Sequence, residues 1–191
     1  YRKCALESLA ASIALAVRLA DGSSMPVKTV NLGGGFGIPY FPGDAPLDLA
    51  KVANELAASL DQARDALPDT AFHLELGRYL VGEAGIYAAR IIDRKISRGR
   101  TILVTEGGLH HNLAVSGNFG QVIRKNYPVA LADALDVVPE ETVDVVGRLC
   151  TPLDRLADSV ELPKSEVGDF FVVFQCGAYG ASASPQRFLS H

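Results

Sequence analysis

The spacing of apolar residues changes character near residue 85, and this limits the chain to a small set of folds. Up to that point, helix and strand patterns alternate. Leu6, Leu9, Ile13, Val17 and Ala20 share one stripe of a helix predicted over Tyr1–Ala20. Val27–Leu32 is a short apolar run that ends in glycines, as a buried strand does. Leu49, Val52, Leu56, Leu60, Ala63 and Leu67 recur at helical spacing until Pro68 stops the run. Phe72–Leu76 is a second short strand. This order implies βα units and parallel strands.

Beyond residue 85 no helical period is present. Tyr87–Ile96 and Thr101–Thr105 flank a hairpin turn at Ser97-Arg98-Gly99-Arg100. Val143–Leu149 and Phe170–Gln175 are further β-branched or aromatic runs, the second preceded by a turn at Glu166–Asp169. Leu109–Gln121, with two glycines, reads as an ordered loop. The predicted fold class is therefore α/β plus β: residues 1–85 form a βα domain, and residues 86–191 form an antiparallel β domain.

Composition excludes several function classes. With 48% apolar residues in 191, the chain can build a packed core. A net charge of −4 argues against nucleic acid as a partner. No apolar run is long enough to span a bilayer, so no membrane partner is expected. Cys4, Cys150 and Cys176 are odd in number and scattered. They give neither a disulfide framework nor a zinc spacing, which points to a reducing compartment and a cytoplasmic location. No metal is expected: the His110-His111 pair places its rings in poor mutual geometry, and no acidic residue has ligand spacing to it. A chain whose first residues already read as helix is expected to be cut from a longer protein.

Four motifs sit at element ends. Asn31-Leu32-Gly33-Gly34-Gly35-Phe36-Gly37 follows the first strand, where consecutive glycines let backbone N–H groups approach an anion without Cβ interference. Glu75-Leu76-Gly77-Arg78 follows the second strand. There Arg78 can hold an anion and Glu75 can accept a hydrogen bond from a protonated ring nitrogen. Cys150-Thr151-Pro152-Leu153-Asp154 follows a β run and offers a thiol proton donor with a carboxylate to orient it. Gly177-Ala178-Tyr179-Gly180 is a tight turn that can project a phenol outward.

Together, in this order, these motifs resemble the pyridoxal-phosphate-dependent decarboxylases of the ornithine/diaminopimelate group. The wording of Glu75–Gly85 and of Gly107–Leu113 is most similar to the bacterial branch associated with exosortase or exopolysaccharide systems. The resemblance implies an alanine-racemase-like fold, with this chain carrying the C-terminal part of a (β/α)8 barrel followed by most of the β domain, short of its last strand. It implies pyridoxal 5'-phosphate as cofactor, its phosphate on Gly33, Gly34 and Gly35 and reached by Tyr179, with Arg78 supporting the phosphate or the substrate end. Glu75 would meet the pyridine nitrogen. Cys150 would return a proton to the substrate carbon after carbon dioxide leaves, and would do so from the partner subunit of a homodimer with shared active sites. Asp154 would serve substrate binding.

Three departures accompany the resemblance. The Schiff-base lysine, which the family carries far upstream of the glycine loop, has no counterpart here, so the chain alone is expected not to decarboxylate. Thr151 stands where the family places an aspartate or glutamate for the far end of the substrate, and this removes a charge-assisted contact to a distal ammonium. The Arg-Pro-x-Leu-Tyr stretch that holds a second carboxylate is absent, and Leu113–Gly120 occupies that region. The substrate is thus an amino acid of unassigned identity. An acidic residue at the pyridine nitrogen keeps it protonated and favours a decarboxylase over a racemase. The alternatives are a catalytically silent regulatory homologue, an amino-acid racemase, and an unrelated barrel that binds a phosphorylated metabolite.

Overall fold

The computed structural model describes residues 2–41, 43–119 and 121–188, the side chains of residues 2–5 excepted. Tyr1, at the predicted start of the first helix, and Gly120, in the predicted loop, lie outside the described residues. The chain divides into two compact units, the first made of Tyr1–Pro39 and Ala45–Leu80, the second of Tyr40–Asp44 and Val81–His191. The boundary lies at Leu80 and Val81, and the second unit also takes the short segment Tyr40–Asp44.

In the first unit, α1 (Arg2–Asp21) and α2 (Leu49–Ala63) accompany two short strands, β1 (Thr29–Asn31) and β2 (Ala71–His73). The Asp48 side chain caps α2 by accepting the Lys51 N–H at 3.0 Å. The helix stops at Ala63, four residues before the predicted end. The chain tightens there through Arg64 N–H to Asp61 O, yet Leu67 keeps its buried position. Helical spacing at Leu67 therefore reports burial, not helix. The strands pair in parallel, Val30 opposite Phe72 and Asn31 opposite His73. Leu32 N–H to His73 O and Glu75 N–H to Gly33 O carry the pairing past the strand ends. Leu9 and Ile13 of α1 pack with Leu32, Phe36, Val52 and Leu67 in the core. A short helix, α3 (Gly77–Val81), follows β2.

The second unit is a six-stranded sheet of β3 (Tyr87–Ser97), β4 (Arg100–Thr105), β5 (Val129–Leu131), β6 (Glu141–Val146), β7 (Arg155–Leu162) and β8 (Phe170–Val173). The strand order is β5-β8-β3-β4-β6-β7. The β3–β4 hairpin turns on Arg98 and Gly99, both at positive φ (51° and 76°), which matches the right-handed twist of the flanking strands. The predicted antiparallel sheet is found with one exception: β4 and β6 pair in parallel. The long excursion over residues 106–140 permits this, because only a crossover can join parallel neighbours.

β7 has no counterpart in the predicted elements. Its register against β6 slips between the Val143–Val160 and Val145–Ala157 pairs, so an extra residue sits at Asp158–Ser159. Ser159 is left-handed (φ 51°) and gives its N–H to Asp144 Oδ1 at 2.9 Å. Arg100 donates to Asp144, Asp158 and Ser159 Oγ at 2.6, 2.9 and 2.8 Å. Burial alone would raise the Asp158 carboxyl, but the Arg100 hydrogen bond and the Arg155 charge outweigh it and hold the group at about 2. These polar groups interrupt the two-residue alternation that marks a strand in sequence.

Ile91, Leu103, Val143, Val145, Leu156, Phe171 and Val173 are fully buried between the strands. Phe171→Ala should destabilise this unit by about 3–5 kcal/mol, through lost burial plus the cavity left behind. Urea unfolding of wild type and variant would measure the difference.

Candidate active site

Each unit carries part of the predicted site. In the first, Asn31 ends β1 and its side chain makes two bonds. Its amide donates to Glu75 Oε1 at 2.6 Å, and its Oδ1 accepts the Gly33 N–H at 2.7 Å. The second bond closes an Asx-turn that throws the chain into the glycine run. Gly33 and Gly35 adopt positive φ (74° and 89°), and a Cβ on Gly34 would overlap the Glu75 carbonyl oxygen. All three positions therefore need glycine, two for conformation and one for close approach.

The Gly33 N–H is bonded to Asn31 Oδ1 and so shapes the loop. The N–H groups of Gly34 and Gly35 make no hydrogen bond among the described residues. A glycine loop with unspent donors beside a fixed carboxylate fits a ligand bearing both a phosphate and a basic ring nitrogen. Phe36 is buried edge-on to Tyr79 at 6.4 Å and anchors the far side of the loop. Arg78 lies at the second residue of α3, half-buried. Asn31 opens the glycine motif and takes a positioning part that the spacing of the glycines alone does not reveal. The signal was an Asx-turn former between a β-branched residue and glycines.

In the second unit, Cys150 is exposed on the loop joining β6 to β7. Asp154, expected at the substrate, closes that loop and turns inward. It is only 2% exposed, and its two oxygens accept the Leu109 N–H at 2.6 Å and the Leu149 N–H at 2.9 Å. A Cβ on Gly108 or Gly147 would overlap the carboxylate. Asp154 thus ties the loop after β4 to the loop that carries Cys150.

Tyr179 lies in the turn after β8, 42% exposed, at φ 63°. Its ring sits 5.6 Å from that of Phe119, and the neighbouring Asn118 amide donates to Leu153 O at 3.3 Å. Asn118 and Phe119 therefore bring the Tyr179 turn and the Cys150 loop into one neighbourhood. Gly177 packs so tightly that a Cβ would overlap the Val81 carbonyl oxygen.

Further polar groups gather where the loop after β4 meets the start of β3. Tyr87 Oη lies 3.3 Å from His111 Nδ1, and the His110 and His111 rings stand 3.8 Å apart. Burial, then the nearby Asp154 charge, pushes the Tyr87 phenol up to about 12. Burial likewise pushes the Cys176 thiol up to about 11.

Similarity to known proteins agrees with these features. The family model described as "pyridoxal-dependent decarboxylase, C-terminal sheet domain" matches residues 15–177. The decarboxylase of the L-glutamyl form of the BtrI acyl-carrier protein from Niallia circulans is 36% identical over 190 residues, covering 97% of this chain and 44% of the relative. The diaminopimelate decarboxylase of Bacillus subtilis is 30% identical over 165 residues, covering 85% and 36%. The chain thus spans less than half the length of these relatives. Among solved structures, diaminopimelate decarboxylase from M. jannaschii with L-lysine superposes with a TM-score of 0.79 at 24% identity, covering 95% of this chain and 41% of that one. Lysine/ornithine decarboxylase from Vibrio vulnificus with cadaverine gives 0.75 at 17%, covering 94% and 46%. The sheet order, the glycine loop joined to Glu75 and the extent of the family match lead to one conclusion: the chain belongs to the pyridoxal-dependent decarboxylases of the ornithine, diaminopimelate and arginine group and carries their C-terminal sheet domain.

Proposed function

We propose that the protein containing this chain is a carboxy-lyase that removes carbon dioxide from an amino acid with the help of pyridoxal phosphate. The observation that carries this reading is the Glu75 carboxylate, held by Asn31 beside the glycine loop. When bound, the cofactor supplies an electron sink for the bond to the departing carboxylate. The chain's own residues have separate tasks. The Gly34 and Gly35 N–H groups, with Arg78 and Tyr179, hold the phosphate. Glu75 keeps a proton on the ring nitrogen, which supports decarboxylation over racemisation. Cys150 gives a proton to the substrate carbon.

The finer reading is a cytoplasmic homodimer with shared sites, in which Cys150 serves the partner's site. The wording of Glu75–Gly85 and Gly107–Leu113 supports the exosortase-associated branch. Thr151 in place of an acidic residue, together with the missing Arg-Pro-x-Leu-Tyr stretch, supports a substrate whose far end carries no free charge. A carrier-borne amino acid, such as the one in the name of the Niallia relative, has that property.

Glu75→Gln in the complete protein tests the central assignment. The amide keeps the size of the side chain but cannot hold the ring proton as a carboxylate does. Turnover should fall by about 10²–10⁴-fold, in line with loss of a positioned charge or general-acid group. Cofactor content, read by absorbance, should stay near wild type. Near-normal turnover would overturn the assignment of Glu75.

A further inference from the structure

The turn that carries Tyr179 is held in a conformation that its own residues do not favour. Tyr179 adopts φ 63°, and Gln175, at the entrance to the turn, adopts φ 59°. A left-handed backbone is uncommon for any residue but glycine and is costly for a bulky aromatic one. Glycine, which takes this φ without strain, stands next door at Gly180. The strain is therefore kept at the residue that carries the phenol, and it persists only if the surroundings fix the chain on both sides.

Ahead of Tyr179 the fixing groups are backbone. Cys176 N–H donates to Gly85 O at 2.8 Å and Gly177 N–H to Gly82 O at 3.1 Å. Behind Tyr179 no strand or helix follows among the described residues, and the Ala183 N–H reaches Tyr179 O only at 3.3 Å. The firm tie on this side is one hydroxyl. Ser184 Oγ donates to Gly180 O and accepts the Leu113 N–H at 2.8 Å, using its donor and one lone pair together. Gly180 is pressed inward as well: a Cβ there would come 2.8 Å from Cys176 O and 3.5 Å from the amide of the buried Asn112. Asn112 and Leu113 thus form a floor for the turn, and Ser184 latches the turn to it. Ala178 is buried by this arrangement, while the Tyr179 ring stays outside. All these contacts lie within the second unit and are closed within it.

We propose that Ser184 is a positioning residue for Tyr179: by tying Gly180 O to the Leu113 N–H, its hydroxyl sets the direction in which the phenol meets the cofactor phosphate. This rests on the reading of Tyr179 as a phosphate contact. Ser184 itself touches neither cofactor nor substrate.

The test uses the complete protein freed of cofactor and titrated with pyridoxal phosphate, with pyridoxal, which lacks the phosphate, as the control. Binding is followed by absorbance. Tyr179→Phe should weaken pyridoxal phosphate about tenfold, the usual worth of a hydrogen bond to a charged group. Ser184→Ala should weaken it about three- to tenfold and leave pyridoxal within twofold of wild type. In the Tyr179→Phe background, Ser184→Ala should add less than twofold, because no phenolic hydroxyl is left to place. An undiminished loss in that background, or an equal loss for pyridoxal, would reduce Ser184 to a general support of the fold and overturn the proposal. Unchanged binding in Ser184→Ala beside weakened binding in Tyr179→Phe would overturn the latch and leave the reading of Tyr179 standing. Unchanged binding in Tyr179→Phe would overturn both.

Discussion

Asp154→Ala is expected to cost the second unit about 2–5 kcal/mol, since it strands one buried and one partly buried backbone donor at roughly 1–3 kcal/mol each, the partly buried one at less than the full cost. Those donors are the N–H groups of Leu109 and Leu149, and the carboxylate that receives them is almost wholly enclosed. No neighbouring side chain can replace it, because the adjoining positions are Gly108 and Gly147. Asp154→Asn should cost less, because one amide oxygen can still accept while the NH₂ faces a donor. Gly147→Ala should resemble Asp154→Ala, since the added methyl displaces the same carboxylate. Urea unfolding of the three variants gives the comparison. A loss under about 1 kcal/mol for Asp154→Ala would mean that water reaches the two N–H groups and that the loops are not tied as described.

The same residue shows how far the sequence could be read. Cys150 and Asp154 were legible as a pair, a thiol and a carboxylate on one loop after a strand. Which way Asp154 pointed was not, because its partners are backbone groups. One of them, Leu109, is distant in sequence and carries no side-chain signal. The βα part was legible because Leu9, Ile13, Val52 and the Val27–Leu32 run follow simple periods. β7 was not, because the bulge at Asp158–Ser159 breaks the alternation and places an ion-pair cluster inside a strand. The parallel pairing of β4 and β6 was equally hidden, since period alone does not say which strand a long excursion returns to. In the first unit the glycines announced a loop, but the split between them did not follow from spacing. One N–H is spent on Asn31 and two are left, a division set by the Asx-turn that Asn31 closes.

Cys150→Ala in the complete protein is expected to alter the fate of the substrate more than the binding of the cofactor, if the thiol is the proton donor proposed for it. The phosphate and ring contacts are proposed for Gly34, Gly35, Glu75, Arg78 and Tyr179, so cofactor content should hold. Proton delivery to the substrate carbon should slow by about 10²–10⁴-fold, the usual worth of a positioned general acid. A proton that arrives at the wrong carbon gives transamination-like by-products in place of the amine, so the ratio of the two is the sensitive measurement. Asp154→Asn, which loosens the loop without removing the thiol, should show the same by-product to a smaller degree. A dimer with shared sites makes a further demand. Mixing Cys150→Ala with Glu75→Gln subunits puts both lesions in one site of each hybrid and leaves the other site whole. Random reassortment then restores roughly a quarter of wild-type activity, because half the dimers are hybrids with one intact site each. No recovery from the mixture, with exchange of subunits verified, would place Cys150 and Glu75 in the same subunit's site. Loss of cofactor without by-product in Cys150→Ala would reduce the thiol to a structural part of its loop.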